Sequence, residues 1–329
     1  MRLLLLGGTE FVGRAVVDEG LARGWEVTAF NRGRQEQAPG ATALRGDRTA
    51  ADGLSALATG EWDVVVDTWS GAPSAVRDAA RLLAGRAGHY VYVSSRSVYA
   101  FPAPAGLGED GPLVDGSPDD GEVEYAEAKR GGELAAIAAF GERALLARAG
   151  LILGPRENVG RLPWWLRRIE RGGPVLAPGP RGLPLQYVDA RDLAAWVLDA
   201  AGRGLGGAYN VVSPPGHATM GELLESCVRV TGSGAELRWT DPEPILAAGV
   251  EPWTDLPVWI PPGELYDALH QGDVGKAVGA GLRCRPVAET VADTWRWLRE
   301  SDAPPPAPRH GRRPPGLEPE REAELLRRP

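Results

Sequence analysis

Residues 2–16 constrain the fold more than any other part of the chain, because they read as a strand, a tight turn and a helix in succession. Four consecutive leucines at residues 3–6 predict a strand buried on both faces. The glycines that follow predict a tight turn into a helix, in which Gly7 permits the turn and Gly13 lets the helix lie close to the sheet. The first-turn amides of a helix and the positive end of its dipole bind phosphate groups. We therefore predict a phosphate- or pyrophosphate-binding loop here.

The sequence on either side of this loop favours a dinucleotide-binding unit. A helix over residues 11–23 and a strand over residues 25–30 complete a strand–helix–strand unit of about 30 residues. Glu10 replaces the middle glycine of the usual G-x-x-G-x-x-G fingerprint. Because its carboxylate must turn away from a pyrophosphate or bind it through water, we expect an altered phosphate loop. The expected cofactor contacts in the loop are Gly7, Thr9, Glu10, Phe11, Val12 and Gly13.

The end of the second strand bears on the choice of cofactor. An acidic residue there would hold a ribose 2′-hydroxyl and repel a 2′-phosphate. This chain instead has Asn31 followed by Arg32. We therefore expect both residues to contact the cofactor and NADP(H) to be preferred over NAD(H). The alternative is that Arg32 and Arg34 are ordinary loop charges.

Further strands and helices alternate along the chain, which predicts an α/β fold: a Rossmann-like, doubly wound parallel sheet. Strands are expected at residues 41–44, 63–67, 89–94 and 144–153, with a helix over residues 73–83. Asp47 follows the third strand, where a carboxylate can accept a hydrogen bond from the adenine amino group. Three further candidate cofactor contacts lie at the carboxyl end of the fourth strand, the edge at which ligands gather: Asp67, Thr68 and Trp69.

Tyr125 and Lys129 lie one turn apart at the start of an alanine-rich helix predicted over residues 125–140. They share one helical face, so the ammonium can approach the phenol. A phenol with a pKa near 10 is a poor acid–base catalyst at neutral pH, and a cation within about 4–6 Å lowers that pKa. Alone, such a spacing is usually an accident of packing. After a glycine-rich turn, five alternating strands and a strand that ends at Ser94 and Ser95, it predicts a tuned proton donor.

Several motifs together resemble those of the extended short-chain dehydrogenases/reductases, also called the NAD-dependent epimerase/dehydratase family. They are the glycine loop at residues 7–13, Asp67, the run at 94–99, residues 125–129, Gly154-Pro155 and residues 186–192. The resemblance covers roughly residues 1–300. It implies that Ser95 binds the reacting carbonyl or hydroxyl, that Tyr125 exchanges the proton, and that Lys129 holds the nicotinamide ribose and lowers the tyrosine pKa. The loop itself resembles an atypical G-G-T-x-F-x-G subgroup, which includes reductases of secondary metabolites and proteins with weakened or lost catalysis.

The resemblance also implies a division of the chain. We expect residues 1–154 to form an NADP-binding domain to which the chain returns at about 185–213. Residues 155–300 should mainly form a substrate-binding lobe. The prolines that begin at residue 304 separately predict a Pro/Arg-rich tail over residues 301–329, with a short charged helix over 318–327. Five of the eleven tryptophans fall in the lobe before its last predicted helix, at residues 164, 165, 239, 253 and 259. Together they suggest an apolar pocket wall, although any single one could simply pack the core. The candidate substrate contacts are Ser97, Trp164, Trp165 and Trp253.

The composition excludes several classes of function. A net charge of −8 and a pI near 5.2 argue against nucleic acid as the main partner. Cys227 and Cys284 are far apart and the four histidines are scattered, which predicts no metal site and a reduced, cytoplasmic compartment. No apolar segment is long enough to span a bilayer. We expect a monomer or homodimer that acts on a small molecule.

The leading hypothesis from the sequence is an NADPH-dependent reductase that transfers hydride to a ketone, or an imine, of a mainly apolar small molecule such as a secondary metabolite. An alternative is a nucleotide-sugar epimerase or dehydratase with retained NAD. Such enzymes of the family usually carry an asparagine that holds the substrate diphosphate, and the strand end at residues 148–154 lacks it. A second alternative is a non-catalytic NADP-binding or sensor protein, since a fold does not fix a function.

Overall fold

The computed structural model describes residues 1–34, 36, 38–301 and 313–327, and the chain in it divides into two units. Unit 1 consists of Met1–Gly150, Ala190–Val212 and Asp273–Arg283. Unit 2 consists of Leu151–Asp189, Ser213–Gly272 and Cys284–Pro329. The segment at 273–283, which the sequence assigned to the substrate lobe, therefore belongs to unit 1.

In chain order, the strands are β1 (Arg2–Leu6), β2 (Glu26–Asn31), β3 (Thr42–Arg45), β4 (Trp62–Asp67), β5 (Ala87–Ser95), β6 (Ala144–Ala149), β7 (Leu151–Leu153), β8 (Pro174–Pro178), β9 (Pro184–Leu185), β10 (Tyr187–Asp189), β11 (Gly207–Val211), β12 (Ala218–Thr219) and β13 (Glu236–Thr240). The α-helices are α1 (Phe11–Ala22), α2 (Pro73–Leu83), α3 (Tyr125–Phe140), α4 (Arg161–Glu170), α5 (Ala190–Gly202), α6 (Met220–Thr231), α7 (Pro242–Ala247), α8 (Glu264–His270), α9 (Gly275–Gly279), α10 (Val287–Glu300) and α11 (Pro319–Leu326).

Unit 1 is built on one seven-stranded sheet in the order β11-β6-β5-β4-β1-β2-β3, and every pairing in it is parallel. The leucines of β1 are buried because β1 lies inside the sheet, between β2 and β4. The chain winds outward from β1 to β3, then returns to β4 and winds the other way. This confirms the Rossmann-like, doubly wound fold and places its crevice at the carboxyl ends of β1 and β4.

The strand that the sequence predicts over residues 144–153 is two strands, β6 in unit 1 and β7 in unit 2. The break falls at Gly150, whose N–H donates to the carbonyl of Val211 at 3.4 Å. A Cβ at this position would lie 2.7 Å from the Val212 side chain. Only glycine fits here without a shift of its neighbours, which explains the residue type at the point where the chain leaves the sheet.

Unit 2 contains three two-stranded pairings, β10-β7, β12-β9 and β13-β8, packed with helices around its own apolar core. Two fully buried tryptophans lie in that core, and each indole N–H has a partner. Trp165 donates to the Pro257 carbonyl at 2.7 Å, and Trp259 donates to the Gly179 carbonyl at 2.9 Å. Burial of these large rings is favourable because their only polar atom is hydrogen-bonded.

The end of the predicted tail, residues 313–327, is an integral part of unit 2, and we call it the docking segment. It contains α11, close to the helix that the sequence predicts over 318–327. Its Glu322 forms a buried ion pair with Arg168 and also accepts a hydrogen bond from the Leu176 N–H at 3.1 Å. Leu317 and Leu325 are buried in the core of the unit. The proline run at 303–308 lies outside the described residues.

Among the residues that the structure describes, no helix combines the length and the apolar composition that crossing a membrane requires.

Candidate active site

The glycine loop joins β1 to α1 through a backbone that only small residues allow. Gly7 and Gly8 have φ values of 124° and 98°, which side chains disfavour. A Cβ on Gly13 would lie 2.7 Å from the Gly8 nitrogen, so the first turn of α1 packs directly on the loop backbone. A Cβ on Gly7 would lie 2.5 Å from the Thr68 hydroxyl oxygen. The loop therefore lies next to the residue that follows β4, as a doubly wound site requires.

This cradle fits a dinucleotide. The N-cap residue of α1, Glu10, is extended, with φ −127° and ψ 151°, and its side chain makes no capping hydrogen bond to the helix. The first-turn amides, which lack intrahelical acceptors in any α-helix, are therefore not capped by this carboxylate. Thr9, Phe11 and Val12 complete the turn, and Phe11 has a positive φ of 30°. Together, these residues would hold a pyrophosphate through backbone amides.

Three arginines line a depression of about 380 Å³ at the carboxyl ends of β2 and β3. Its lining consists of Arg32, Arg34, Arg45, Gly46 and Asp47, and we call it the arginine depression. Arg45 is a residue that the sequence reading missed. The register pairs it with Asn31, and it packs 3.1 Å from where a Cβ on Gly33 would lie.

Two polar side chains shape the arginine depression. The Asn31 side-chain oxygen accepts from the Gly33 N–H at 2.8 Å, which turns the chain after β2. Asp47 accepts from the N–H and the hydroxyl of Thr49, at 3.1 and 2.7 Å. These two hydrogen bonds lower the pKa of Asp47, and the charges of Arg32 and Arg34 lower it further. A contact between Asp47 and an adenine amino group stays a prediction.

Asp67, which we expected to contact the cofactor, is fully buried. Its carboxylate binds both terminal nitrogens of Arg48, at 2.7 and 2.8 Å, and accepts from the Tyr90 hydroxyl at 2.6 Å. The Arg48 charge and these hydrogen bonds hold the Asp67 pKa below its usual value, although burial acts in the opposite direction. A side-chain contact to a cofactor is therefore not available to Asp67 in this structure. Thr68 and Trp69, which are half-buried, remain candidates.

The predicted catalytic residues lie on two elements of unit 1 that pack together, β5 and α3. Ser95 ends β5, and its hydroxyl oxygen accepts from the Ser97 N–H and donates to the Ser97 hydroxyl, both at 3.1 Å. Ser97 is exposed and Ser95 is half-buried. Tyr125 is the first residue of α3 and is 43% exposed, and Lys129 follows one turn later.

Lys129 is held by backbone oxygens. It is 3% exposed, and its ammonium donates to the carbonyls of Trp69 at 2.6 Å and Val93 at 2.8 Å. It also lies 4.8 Å from the ring centroid of Tyr92. Burial lowers the pKa of Lys129 to about 8, although the charges of Asp67 and Glu133 oppose this shift. An ammonium has three donors, so these two carbonyls leave one for a phenol or a ribose.

A buried network that sequence reasoning missed ties α3 to β5 and β6. The Glu133 carboxylate accepts from the Ser94 hydroxyl at 2.8 Å and forms an ion pair with Arg148 at 2.9 Å. Arg148 also donates to the Tyr99 hydroxyl at 3.1 Å. The only signal in the sequence was a charged residue within each of two apolar elements. This network fixes the residue that precedes Ser95.

The candidate substrate tryptophans of unit 2 differ in exposure. Trp165 is fully buried, so its assignment as a substrate contact is wrong. Trp164 is half-buried, with its ring edge-on to Trp165 at 4.7 Å and the backbone of Gly316 packed on its indole. Trp253 is also half-buried and has the Arg161 guanidinium 4.8 Å from its ring centroid. Trp164 and Trp253 remain predictions, as does Ser97 in unit 1.

Comparison with known proteins adds a family and a set of similar folds. The model of the NAD dependent epimerase/dehydratase family matches residues 3–211, well over half of the chain. A putative epimerase from Burkholderia cenocepacia J2315 is 20% identical, with a TM-score of 0.67 over 91% of this chain and 98% of that one. The Bordetella bronchiseptica enzyme WbmH in complex with NAD+ is 18% identical, with a TM-score of 0.64 over 92% and 99% of the two chains.

The UDP-glucose 4-epimerase complex with NAD from Thermus thermophilus is 20% identical, with a TM-score of 0.62 over 92% of this chain and 100% of that one. No curated protein sequence matches the chain. At these identities, the likeness to the solved structures concerns the fold.

Proposed function

The chain belongs to the NAD-dependent epimerase/dehydratase family, and from this premise we propose that it is an NADPH-dependent reductase that acts on a ketone, or an imine, of a mainly apolar small molecule. Family membership makes it an NAD(P)-dependent enzyme of the oxidoreductase type with a small-molecule substrate. The choice of NADP(H) and of a net reduction is our inference.

The arginine depression is the observation that carries this proposal. Its lining brings three guanidinium groups to the carboxyl ends of β2 and β3 and contains one carboxylate, that of Asp47. A 2′-phosphate on the adenosine ribose is a dianion that guanidinium groups bind with charge-assisted hydrogen bonds. An enzyme that distinguishes NADPH from NADH in this way draws on a reducing cofactor that is exchanged at each turnover. Net reduction therefore fits better than a retained NAD.

Each catalytic residue has a distinct task in this proposal. The bound cofactor supplies the hydride. Ser95 would hold the carbonyl oxygen of the substrate, and Tyr125 would give that oxygen its proton. Lys129, whose remaining donor is free for a ligand, would favour the phenolate between turnovers and orient the nicotinamide ribose.

The experiment that tests the proposal measures NADPH and NADH binding by fluorescence titration. Arg32→Ala and Arg45→Ala should each weaken NADPH by roughly 10- to 100-fold and leave NADH nearly unchanged, because each removes a charge-assisted contact to the 2′-phosphate. Arg77→Ala is the matched control, since this arginine forms ion pairs with Asp78 and Asp119 on the surface of unit 1. Equal losses for both cofactors would show that the arginine depression has only a structural role.

A nucleotide-sugar epimerase or dehydratase with retained NAD is the second candidate, favoured by the similarity of the fold to sugar-nucleotide epimerases. Competition binding separates the two, with UDP- and dTDP-sugars set against a panel of aromatic ketones. The reductase should reduce at least one ketone with NADPH and should not bind the sugar nucleotides. Micromolar affinity for a sugar nucleotide, with no ketone bound, would replace the reductase by the epimerase.

A further inference from the structure

Trp69 lies just beyond the end of β4, and hydrogen bonds hold its backbone N–H, its indole N–H and its carbonyl. Its N–H donates to the Asp67 carboxylate at 3.0 Å, and its indole N–H donates to the Ala72 carbonyl at 3.0 Å. Its own carbonyl accepts from Lys129 at 2.6 Å and from the Tyr92 hydroxyl at 3.1 Å. The position of this carbonyl, together with that of the Val93 carbonyl, therefore decides where the Lys129 ammonium lies.

The buried Arg48–Asp67 ion pair makes two of the contacts that fix Trp69. Asp67 accepts from the Trp69 N–H, and the Arg48 guanidinium lies 5.0 Å from the centroid of the Trp69 ring. Arg48 is anchored in turn, because it binds both Asp67 oxygens and donates to the Ala75 carbonyl at 2.8 Å. A bidentate pair with a second anchor holds its geometry better than a single contact does.

We propose that the Arg48–Asp67 pair positions Lys129. The pair holds the Trp69 carbonyl next to the Lys129 ammonium, and it sets the charge that the ammonium faces. The proposal rests on the role of Lys129 in the proposed function. It adds two residues with buried side chains whose effect on the site would pass through Lys129. Arg48 directly follows Asp47, so one loop serves both the arginine depression and this pair.

The charges around Lys129 give the sign of the expected effect. The charged groups that face it are Asp67 on β4 and Glu133 on its own helix, which raise its pKa, and Arg48, which lowers it. Tyr92 on β5 presents its ring, and Tyr125 lies one turn earlier on α3. Asp67 has a larger influence on the Lys129 pKa than Arg48 does. Removal of Asp67 should therefore make the ammonium lose its proton at a lower pH.

The chain offers a direct measurement, because Lys129 and Lys276 are its only lysines. The full chain, labelled with ¹³C at the lysine ε-carbons and free of cofactor, should give two side-chain NMR signals. Lys276→Arg removes one signal and thereby assigns the other to Lys129. We expect the Lys129 signal of the unaltered chain to titrate with a midpoint near 8. This readout needs neither activity nor substrate, so the proposal and the proposed function fail separately.

Two variants test the positioning role. Asp67→Asn should lower the Lys129 midpoint by roughly one pH unit, because it removes a facing negative charge and leaves Arg48. The double variant Arg48→Met/Asp67→Asn should lower it by less, because it removes both charges. The double variant leaves no buried charge unpaired, so it decides the question if the single variant does not fold.

Glu322→Gln is the control, because it breaks a buried Arg–carboxylate pair within unit 2 and should leave the Lys129 midpoint unchanged. A Lys129 midpoint that stays at its original value in the folded variants would overturn the proposal and leave the Arg48–Asp67 pair a purely structural role. A midpoint that rises in Asp67→Asn would overturn it as well.

Discussion

At the scale of single residues, the candidate site separates an exposed phenol, the proposed proton donor, from a buried cation. Tyr125 is 43% exposed at the start of α3. Lys129 is buried one turn later and has its ammonium fixed by two carbonyls. Removal of the phenolic hydroxyl alone should therefore leave the fold and the cofactor site intact.

We predict that Tyr125→Phe lowers kcat for the proposed ketone reduction by about 10²- to 10⁴-fold, because it removes the proposed general acid and keeps the ring. NADPH affinity, measured by fluorescence titration, should stay near that of the unaltered chain. Tyr209→Phe on β11 is the matched control and should keep full activity. If Tyr125→Phe retains full activity, the proton comes from water or from the substrate.

At the scale of elements, the site depends on how closely α3 approaches the sheet. Gly132 faces the Tyr92 ring, and a Cβ there would clash with the ring and its hydroxyl. Tyr92 in turn donates to the Trp69 carbonyl and lies beneath the Lys129 ammonium. A glycine in the middle of a helix costs stability, so at this position it serves the packing of α3 on β5.

We predict that Gly132→Ala destabilises the chain by about 1–3 kcal/mol in urea unfolding, because the overpacking outweighs the gain in helix propensity. Gly202→Ala at the end of α5 is the control, since a Cβ there meets no atom within 4 Å. That change should be neutral or stabilising by up to about 1 kcal/mol. Equal effects of the two substitutions would show that α3 can shift to accept a methyl group.

How much the sequence predicts depends on whether the signal is local. The bounds of α2 and α3 are predicted to the residue, because Pro73 and the apolar spacing mark them within one segment. The break between β6 and β7 at Gly150 is not predicted, because the apolar run continues through this residue and its contact with Val212 is distant in sequence. The Arg48 partner of Asp67 was missed for the same reason. Trp165 was misassigned because the sequence does not show which of two adjacent tryptophans on a helix faces the core.

At the scale of the whole molecule, the docking segment follows a proline run in the sequence and contributes buried residues to the core of unit 2. Arg168 is buried, and its guanidinium binds the Glu322 carboxylate and the Pro174 carbonyl. Arg313 adds ion pairs to Glu251 and Asp255 at 3.1 and 2.6 Å. Stability of unit 2 should therefore depend on residues that the sequence alone assigns to a tail.

We predict that Glu322→Gln lowers the free energy of unfolding in urea by about 3 kcal/mol, because it leaves the Arg168 charge buried without a counter-charge. Glu324→Gln on the same helix removes an exposed carboxylate and should change that free energy by less than about 0.5 kcal/mol. If the two substitutions have equal effects, the docking segment contributes little to the stability of unit 2.

The interleaving of the two units bears on how the chain folds as it is made. The sheet of unit 1 needs β11, and its last segment ends at Arg283, so synthesis of the first 150 residues leaves the unit without an edge strand and α5. Unit 2 likewise cannot be complete until the segment that begins at Cys284 has been synthesised. Neither unit can be completed before most of the chain has left the ribosome, whereas domains that are contiguous in sequence fold one after another. An excised N-terminal half should therefore be a substrate for proteases.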